Sequence, residues 1–273
     1  MINKCLFPAA GYGTRFLPAT KSVPKEMLPI VNKPILQYGV EEALASGIKN
    51  MAIVTGRGKR AIEDHFDKAF ELEAQLKETS KDHYLKEINE ITEEAIFTYV
   101  RQKKMLGLGH AILSAKPLIG NEPFAVILAD DLCFSEEKEV TAQLIEIYNK
   151  HKCSIIAIEE VPTDQIHNYG IIHGSLIKNS HDIYEVNNMV EKPKISSSNL
   201  AIIGRYILTP DIFKILKTIT PDINGEIQIT DALMSQANKG RVLAYKFKGK
   251  RFDCGSLNGF IKATNFFAKK LGF

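Results

Sequence analysis

The sequence predicts a doubly wound α/β fold on a mostly parallel sheet. Short apolar runs alternate with amphipathic stretches, and several of the runs are apolar on both faces, as strands of a sheet covered on both sides are. The longest apolar runs also fall far short of the roughly 20 residues that cross a bilayer, so no membrane partner is expected. At 273 residues, 45% hydrophobic and 25% charged, the chain can bury one substantial core. One domain over residues 1–273 is therefore expected. The opening MINKCLF holds one lysine and then an apolar run with no leader-like region, which fits a cytoplasmic protein.

Residues 5–10, 51–55, 97–101, 124–129 and 154–158 read as strands. Between the first two, Leu36, Val40, Ala43 and Leu44 fall at helical spacing, with Pro34 near the start and Gly47 just past the end. Val140, Leu144, Ile147 and Tyr148 make a second stripe, and Phe260, Ala263, Phe267 and Leu271 a third; each is expected to face the core. Residues 60–95 contain no Gly or Pro and read as a charged helical insertion, either a solvated helical pair or a lid or partner-binding element. Residues 165–208 turn alternating and strand-rich, a β extension expected to close over one side of a site. This order of elements is Rossmann-like. Ligands of such sheets sit beyond the carboxyl ends of the strands, where the strand order switches.

The net charge of +3 is too small to argue for nucleic acid, but its distribution is uneven. Between Gly11 and Lys33, four basic side chains stand against Glu26, while residues 60–95 carry five basic and eleven acidic side chains, a net of −6. Positive charge is concentrated just after the first strand. Cys5, Cys133, Cys153 and Cys254 are widely scattered and read as reduced, buried hydrophobes.

That basic segment, AAGYGTRFLPATKSVPKEMLPI, is read by elimination. Phe16 stands where a dinucleotide fingerprint needs its third glycine, and the spacing of a P-loop is absent. Glycines after a strand let backbone N–H groups approach a phosphate, and Arg15 offers a forked donor set; a bare G-x-G is also an ordinary turn. Lys25 lies between Pro24 and Pro29, which restrict the backbone and suit a positioned point charge. Arg101 and Gln102 close a strand before the turn LGLGHA, which is either a glycine turn with a surface glutamine or a donor and acceptor set for a pyrimidine edge. ILADD ends a strand in two carboxylates, a usual place for hard oxygen ligands. Asp253 in FDCGS is a turn or cap residue or a further ligand, and the Glu191-Lys192 pair is either surface or site.

The combination A-A-G-x-G-T-R-x-x-P-x-T-K-x-x-P-K-E-M-L-P resembles the signature of the sugar-nucleotide pyrophosphorylases, and the resemblance continues through RQKKMLGLGHA, ILADDL, NYGII, VEKP, IGRYIL and FDCGS. It implies a nucleotidyltransferase sheet, UTP and glucose 1-phosphate as substrates with dTTP or another sugar 1-phosphate as the alternative, Mg²⁺ as cofactor, and homodimers or homotetramers. It further implies Arg15, Lys25, Asp130, Lys192 and Asp253 as the catalytic set, with Asp130 and Asp253 holding the metal. Ala10, Gly11, Gly13, Thr14, Glu26, Gln102, Gly107 and Asp131 would contact the nucleotide. Tyr169, Gly170, Glu191, Lys192 and Gly204 would contact the sugar phosphate.

Overall fold

In a computed structural model that describes residues 1–79, 81 and 83–273, the apolar runs fold as strands where the pattern places them. In chain order the strands are β1 (Lys4–Pro8), β2 (Pro29–Ile30), β3 (Lys33–Pro34), β4 (Asn50–Thr55), β5 (Ile96–Arg101), β6 (Phe124–Ile127) and β7 (Asp131–Phe134). They continue with β8 (Ser154–Glu160), β9 (Gly170–Leu176), β10 (Ile183–Glu191), β11 (Leu200–Leu208), β12 (Val242–Lys246) and β13 (Lys250–Asp253).

A nine-stranded sheet runs in the order β5-β4-β1-β6-β11-β8-β12-β10-β9. Neighbours among β5, β4, β1 and β6 are parallel, as are β8 and β12. β11 runs against β6 and β8, and β10 against β12 and β9, so seven strands share one direction and two oppose it. After β1 the chain adds β4 and β5 on one side and then returns to place β6 on the other. The strand order therefore switches between β1 and β6, and the carboxyl ends of these strands carry the predicted motifs. β9 pairs both with β10 and with Leu200 and Ala201 of β11, so β8, β12, β10, β9 and β11 close into a ring.

β1 shows why the strands read as unbroken apolar runs. Cys5 and Phe7 pack in one core with Leu36 and Val40 of the helix Ile35–Ala45, Leu144 of Val140–His151 and Phe267 of Leu257–Lys270. Leu6 points the other way, into a second core with Ile112 of Gly107–Ser114 and Leu233 of Ile229–Ala237. Both faces are covered, so neither can be polar. The three helical stripes of the sequence face these cores except at Leu271, which caps the last helix and is exposed. The four cysteines are free and buried.

Among the described residues of 60–95 there are three helices, Arg60–His65, Phe70–Glu78 and His83–Glu94, in place of the expected pair. Ile62 and Phe66 are buried, and Phe66 stacks on Phe97 of β5 at 4.5 Å, whereas Phe70 and Leu72 are exposed. Among the described residues no helix is long and apolar enough to cross a membrane.

One buried ion pair fastens the sheet to its helices. Arg205 of β11 donates through Nε and Nη2 to the Glu42 carboxylate at 2.8–3.1 Å, and Thr141 donates to the same group from its amide and hydroxyl. Arg205 Nη1 also donates to the carbonyls of Leu128 and Gly204, which steadies the chain just before Asp130. Both charges are almost wholly withdrawn from water, with side chains 1% and 4% exposed, so removing one strands the other. Arg205→Met is expected to lower the unfolding free energy by about 3–5 kcal/mol, and Arg205→Met with Glu42→Leu by much less. Urea unfolding of the two variants checks this.

Candidate active site

The loop after β1 is built around the stem of Lys25. Gly13 has φ 67°, and a Cβ there would lie 3.0 Å from Lys25 Cβ, so a glycine is needed where the lysine crosses. Thr20 Oγ1 donates to the Gly13 carbonyl at 2.8 Å and ties the loop to the following turn. Lys25–Met27 forms a 3₁₀ turn whose Met27 amide donates to the Pro24 carbonyl, and this aims Lys25 Nζ at Asp130 Oδ2, 2.5 Å away. Burial pushes the Asp130 carboxyl up, but the Lys25 ammonium outweighs it and holds the group below its ordinary value. Lys25 shows the converse: burial works against its charge, and Asp130 followed by Glu26 raises its pKa overall.

The antiparallel pairing of β7 with β13 places Asp253 opposite Asp131. Gly255 then turns the chain, its amide donating to Asp253 Oδ1 at 3.1 Å while its carbonyl accepts from Arg15 Nη1 at 3.2 Å. A Cβ on Gly255 would sit 3.0 Å from Asp253 Oδ1, 3.1 Å from Arg15 Nη1 and 3.3 Å from Asp130 Oδ2. Two carboxylates and a guanidinium thus face one small space that only a glycine leaves open.

Arg251 holds the next layer of charge. Its Nε donates to Asp131 Oδ1 at 2.6 Å and its Nη1 to Glu159 Oε1 at 2.5 Å, while its guanidinium lies over the Tyr169 ring at 4.9 Å. Asp131 Oδ2 accepts from the Gly204 amide at 2.6 Å. Both Asp131 oxygens thus accept hydrogen bonds from within the protein. Tyr169 Oη donates to Asp253 Oδ2 at 3.0 Å.

A cavity of about 400 Å³ opens at the carboxyl ends of β1, β5 and β6, and its wall includes Ala10, Gly11, Gly13, Thr14, Lys25, Glu26, Gln102, Gly107 and Asp130. A side chain at Gly11 would meet nothing within 4 Å, so the space above the loop is open there. At the far end Gln102 is buried, and its Nε2 donates to the Gly107 carbonyl at 3.2 Å and meets His110 Nδ1 at 2.9 Å. Burial, then Lys104, keeps the His110 pKa below its ordinary value, so the neutral ring accepts from the amide. This leaves Gln102 Oε1 as the free end of the amide. Gly107 and Gly109 are backed by the segment after Asn224, with the Gly109 amide donating to the Ile227 carbonyl.

The expected sugar-side residues gather separately, at the ring of strands. Glu191 Oε2 accepts from Thr230 Oγ1 at 2.5 Å and lies 3.1 Å from where a Gly170 Cβ would be. Lys192 has φ 44°, donates its amide to the Tyr169 carbonyl and keeps a half-exposed ammonium 3.5 Å from Glu191 Oε1. The Tyr169–Asp253 contact joins this group to the carboxylates. Sequence reading missed Arg251, His110, Thr230 and Glu226, and it also missed Lys59, whose Nζ donates to Glu26 Oε2 at 2.6 Å. The glycine-rich run Gly56-Arg57-Gly58-Lys59 directly after a strand was the available signal for the last.

The nucleotidyl transferase family pattern matches residues 6–270. The chain belongs to that family. It is 62% identical over 269 residues to a UTP–glucose-1-phosphate uridylyltransferase of Pseudomonas aeruginosa, covering 97% of this chain and 96% of the relative. A Staphylococcus epidermidis protein of the same name is 50% identical over 271 residues, 98% of this chain and 93% of the relative. Among solved structures, a UDP-glucose pyrophosphorylase complexed with UDP-glucose superposes with a TM-score of 0.91 at 57% identity, covering 99% of this chain and 100% of the other. A UTP-bound enzyme of that kind from Acinetobacter baumannii gives 0.91 at 39% identity, covering 99% and 94%. In this nucleotidyl transferase the sheet is the one expected from sequence, with β10 and β11 as the reversed strands.

The Lys25–Asp130 pair ties two segments 105 residues apart, and its contribution follows the Asp130 charge. Because the folded pKa lies below the ordinary 3.8, that contribution is present above about pH 3.8 and is lost as pH falls through the folded value. Lys25→Met is expected to cost about 1–3 kcal/mol of unfolding free energy at pH 7, with the gap to wild type closing below pH 3.8. Unfolding titrations across that range measure it.

Proposed function

We propose that this chain transfers the uridylyl group of UTP to glucose 1-phosphate, giving UDP-glucose and pyrophosphate. The observation that carries the reading is a cavity whose wall holds Lys25 and Asp130 at one end, with Asp253 and Arg15 gathered beside Asp130 around Gly255, and Gln102 and Gly107 at the other. One end suits phosphates and the other a base. High identity over nearly the whole length of named uridylyltransferases supports the choice of substrates.

The chemistry needs no covalent enzyme intermediate, because a phosphate oxygen of the sugar phosphate is already a nucleophile. The barrier is repulsion between anions. Each close pair of like charges costs on the order of 4 kcal/mol at an effective dielectric of about 20, and a dianion must approach a triphosphate. Fixed cations relieve this without reorganising during the reaction. Arg15 and the amides of the loop at Gly11 and Gly13 face the triphosphate, Lys25 meets its α-phosphate side, and Lys192 meets the phosphate of the incoming sugar. Gln102 Oε1 accepts from the N–H of the pyrimidine, and Glu191 with the Gly170 and Gly204 backbone faces the hexose hydroxyls. Attack at the α-phosphorus is then in line, with pyrophosphate leaving toward Arg15.

Asp130 and Asp253 fit Mg²⁺. Their oxygens face the same glycine-kept space, and two carboxylates with substrate phosphates and water form the donor set this ion takes. When bound, it neutralises charge on the phosphates. The chain works as one domain, with residues 60–95 as an insertion and 165–208 as its sugar-side extension.

Pyrophosphate release over a panel of nucleoside triphosphates and sugar 1-phosphates is expected to be fastest with UTP and glucose 1-phosphate and to cease with EDTA. Fastest release with dTTP or with galactose 1-phosphate sinks the substrate assignment. Lys192→Ala is expected to raise KM for glucose 1-phosphate by about 10–100-fold, the loss of one charge-assisted hydrogen bond, with a much smaller change for UTP. Initial rates with each substrate varied in turn decide this.

A further inference from the structure

Thr230 lies in the first turn of the helix Ile229–Ala237, where a threonine hydroxyl often caps the helix. Here it reaches across to another element. Thr230 Oγ1 donates to Glu191 Oε2 at 2.5 Å, a short charge-assisted bond. Glu191 ends β10 and pairs with Gly170 of β9, and a Cβ on Gly170 would lie 3.1 Å from Glu191 Oε2 and 3.3 Å from Thr230 Oγ1. A glycine therefore keeps the space beside this bond open. Glu191 Oε1 has the Lys192 ammonium 3.5 Å away, and its side chain is 27% exposed. One oxygen is tied by a buried hydroxyl; the other keeps acceptor capacity in a carboxylate that solvent still reaches.

A hydroxyl can aim a carboxylate only if it is itself held, and Thr230 is. Three residues earlier, the Ile227 amide donates to the Leu106 carbonyl at 2.8 Å, and the Ile227 carbonyl accepts from the Gly109 amide at 2.9 Å. Asp222 closes the turn before it. Its Oδ1 accepts from the amides of Asn224 and Glu226 at 2.8 and 2.9 Å, and its Oδ2 from Gln228 Nε2 at 2.9 Å. The segment is thus fastened to the glycine turn at Gly107, and its continuation delivers Thr230 to Glu191. Packing alone does not call for a threonine here. Valine has the same shape with no hydroxyl to withdraw from water, and Thr230 is 3% exposed.

We propose that Thr230 is a positioning residue for sugar selection: its hydroxyl fixes Glu191 Oε2 so that Oε1 accepts a hydrogen bond from one hydroxyl of the hexose. This rests on the reading of Glu191 given above and extends it to what sets the aim of that carboxylate. Thr230 acts only through Glu191. Without the hydroxyl the carboxylate can turn to the Lys192 ammonium, and the sugar hydroxyl loses its acceptor. A sugar hydroxyl bonded to a carboxylate is distinguished from its absence by about 10–100-fold in kcat/KM, because the deoxy sugar leaves a charged acceptor unmet.

The test measures kcat/KM for glucose 1-phosphate and its 2-, 3-, 4- and 6-deoxy analogues with saturating UTP and Mg²⁺. The proteins are wild type, Thr230→Ser, Thr230→Val, Glu191→Ala and the double variant Thr230→Val/Glu191→Ala, which leaves no unpinned carboxylate to disturb the fold. Wild type is expected to lose about 10–100-fold with one of the analogues, and Thr230→Val to cut that loss below about 3-fold, as Glu191→Ala does. Thr230→Ser keeps most of it. In Thr230→Val the KM for UTP changes by less than about 2-fold, and in the double variant the valine adds less than about 2-fold to the effect of Glu191→Ala. A purely structural role would slow all the sugars alike and leave their ratios unmoved. Discrimination that survives in Thr230→Val overturns the proposal. So does a serine variant that behaves as the valine one, a pair of penalties that multiply in the double variant, or a wild type indifferent to all four analogues. If wild type releases no pyrophosphate with glucose 1-phosphate itself, the substrate reading fails and takes the proposal with it.

Discussion

The site depends on keeping three carboxylates close together without letting them repel the chain apart. Asp130 and Asp131 are adjacent in sequence, and the pairing of β7 with β13 brings Asp253 opposite Asp131. At an effective dielectric of about 20, each close like-charged contact costs on the order of 4 kcal/mol, so such a cluster persists only if it is neutralised. The protein assigns cations by position. Arg251 takes Asp131 and Glu159, with Asp253 3.9 Å from its Nη2, and Lys25 takes Asp130. Because Arg251 absorbs the deepest charges, Asp130 and Asp253 remain at the mouth, with Arg15 beside them.

That arrangement explains the local composition of the loops. Gly255 is small because two carboxylates and a guanidinium already occupy the space a side chain would need. Gly13 is a glycine because the Lys25 stem crosses it. Below them, the Arg205–Glu42 pair fixes the Leu128 carbonyl, so the end of β6 cannot shift and carry Asp130 out of reach of Lys25. A water-exposed surface could hold similar charges only loosely. The rigidity here comes from burying the supporting pair.

Much of this was legible in the chain because it is local. The five apolar runs, the helical stripes and the glycine loop each carry their own pattern, and the end of a parallel strand is where such a loop becomes a site. What was not legible is long-range. Nothing near Arg251 in sequence announces Asp131 or Glu159, which lie 120 and 92 residues away, and nothing near Glu26 announces Lys59. Two adjacent aspartates look alike in sequence. Asp130 precedes β7 and faces Lys25, while Asp131 is its first residue and turns inward to Arg251 and the Gly204 amide. The reversal of β10 and β11 escaped for a related reason, since alternating apolar residues fix which face a strand buries and leave its direction to the connections on either side.

The same contacts join the two halves of the molecule. In the proposed reading the parallel half, β5-β4-β1-β6, carries the base end and the phosphate end at its strand tips. The sugar-side residues come from the ring formed by β8, β12, β10, β9 and β11. Besides the pairing of β6 with β11, those halves are joined at the site through Tyr169, which donates to Asp253 while Arg251 lies on its ring and reaches Glu159 of β8. In the proposed reading this contact links the position of the sugar phosphate to that of Asp253, as an in-line transfer between two separately bound anions requires.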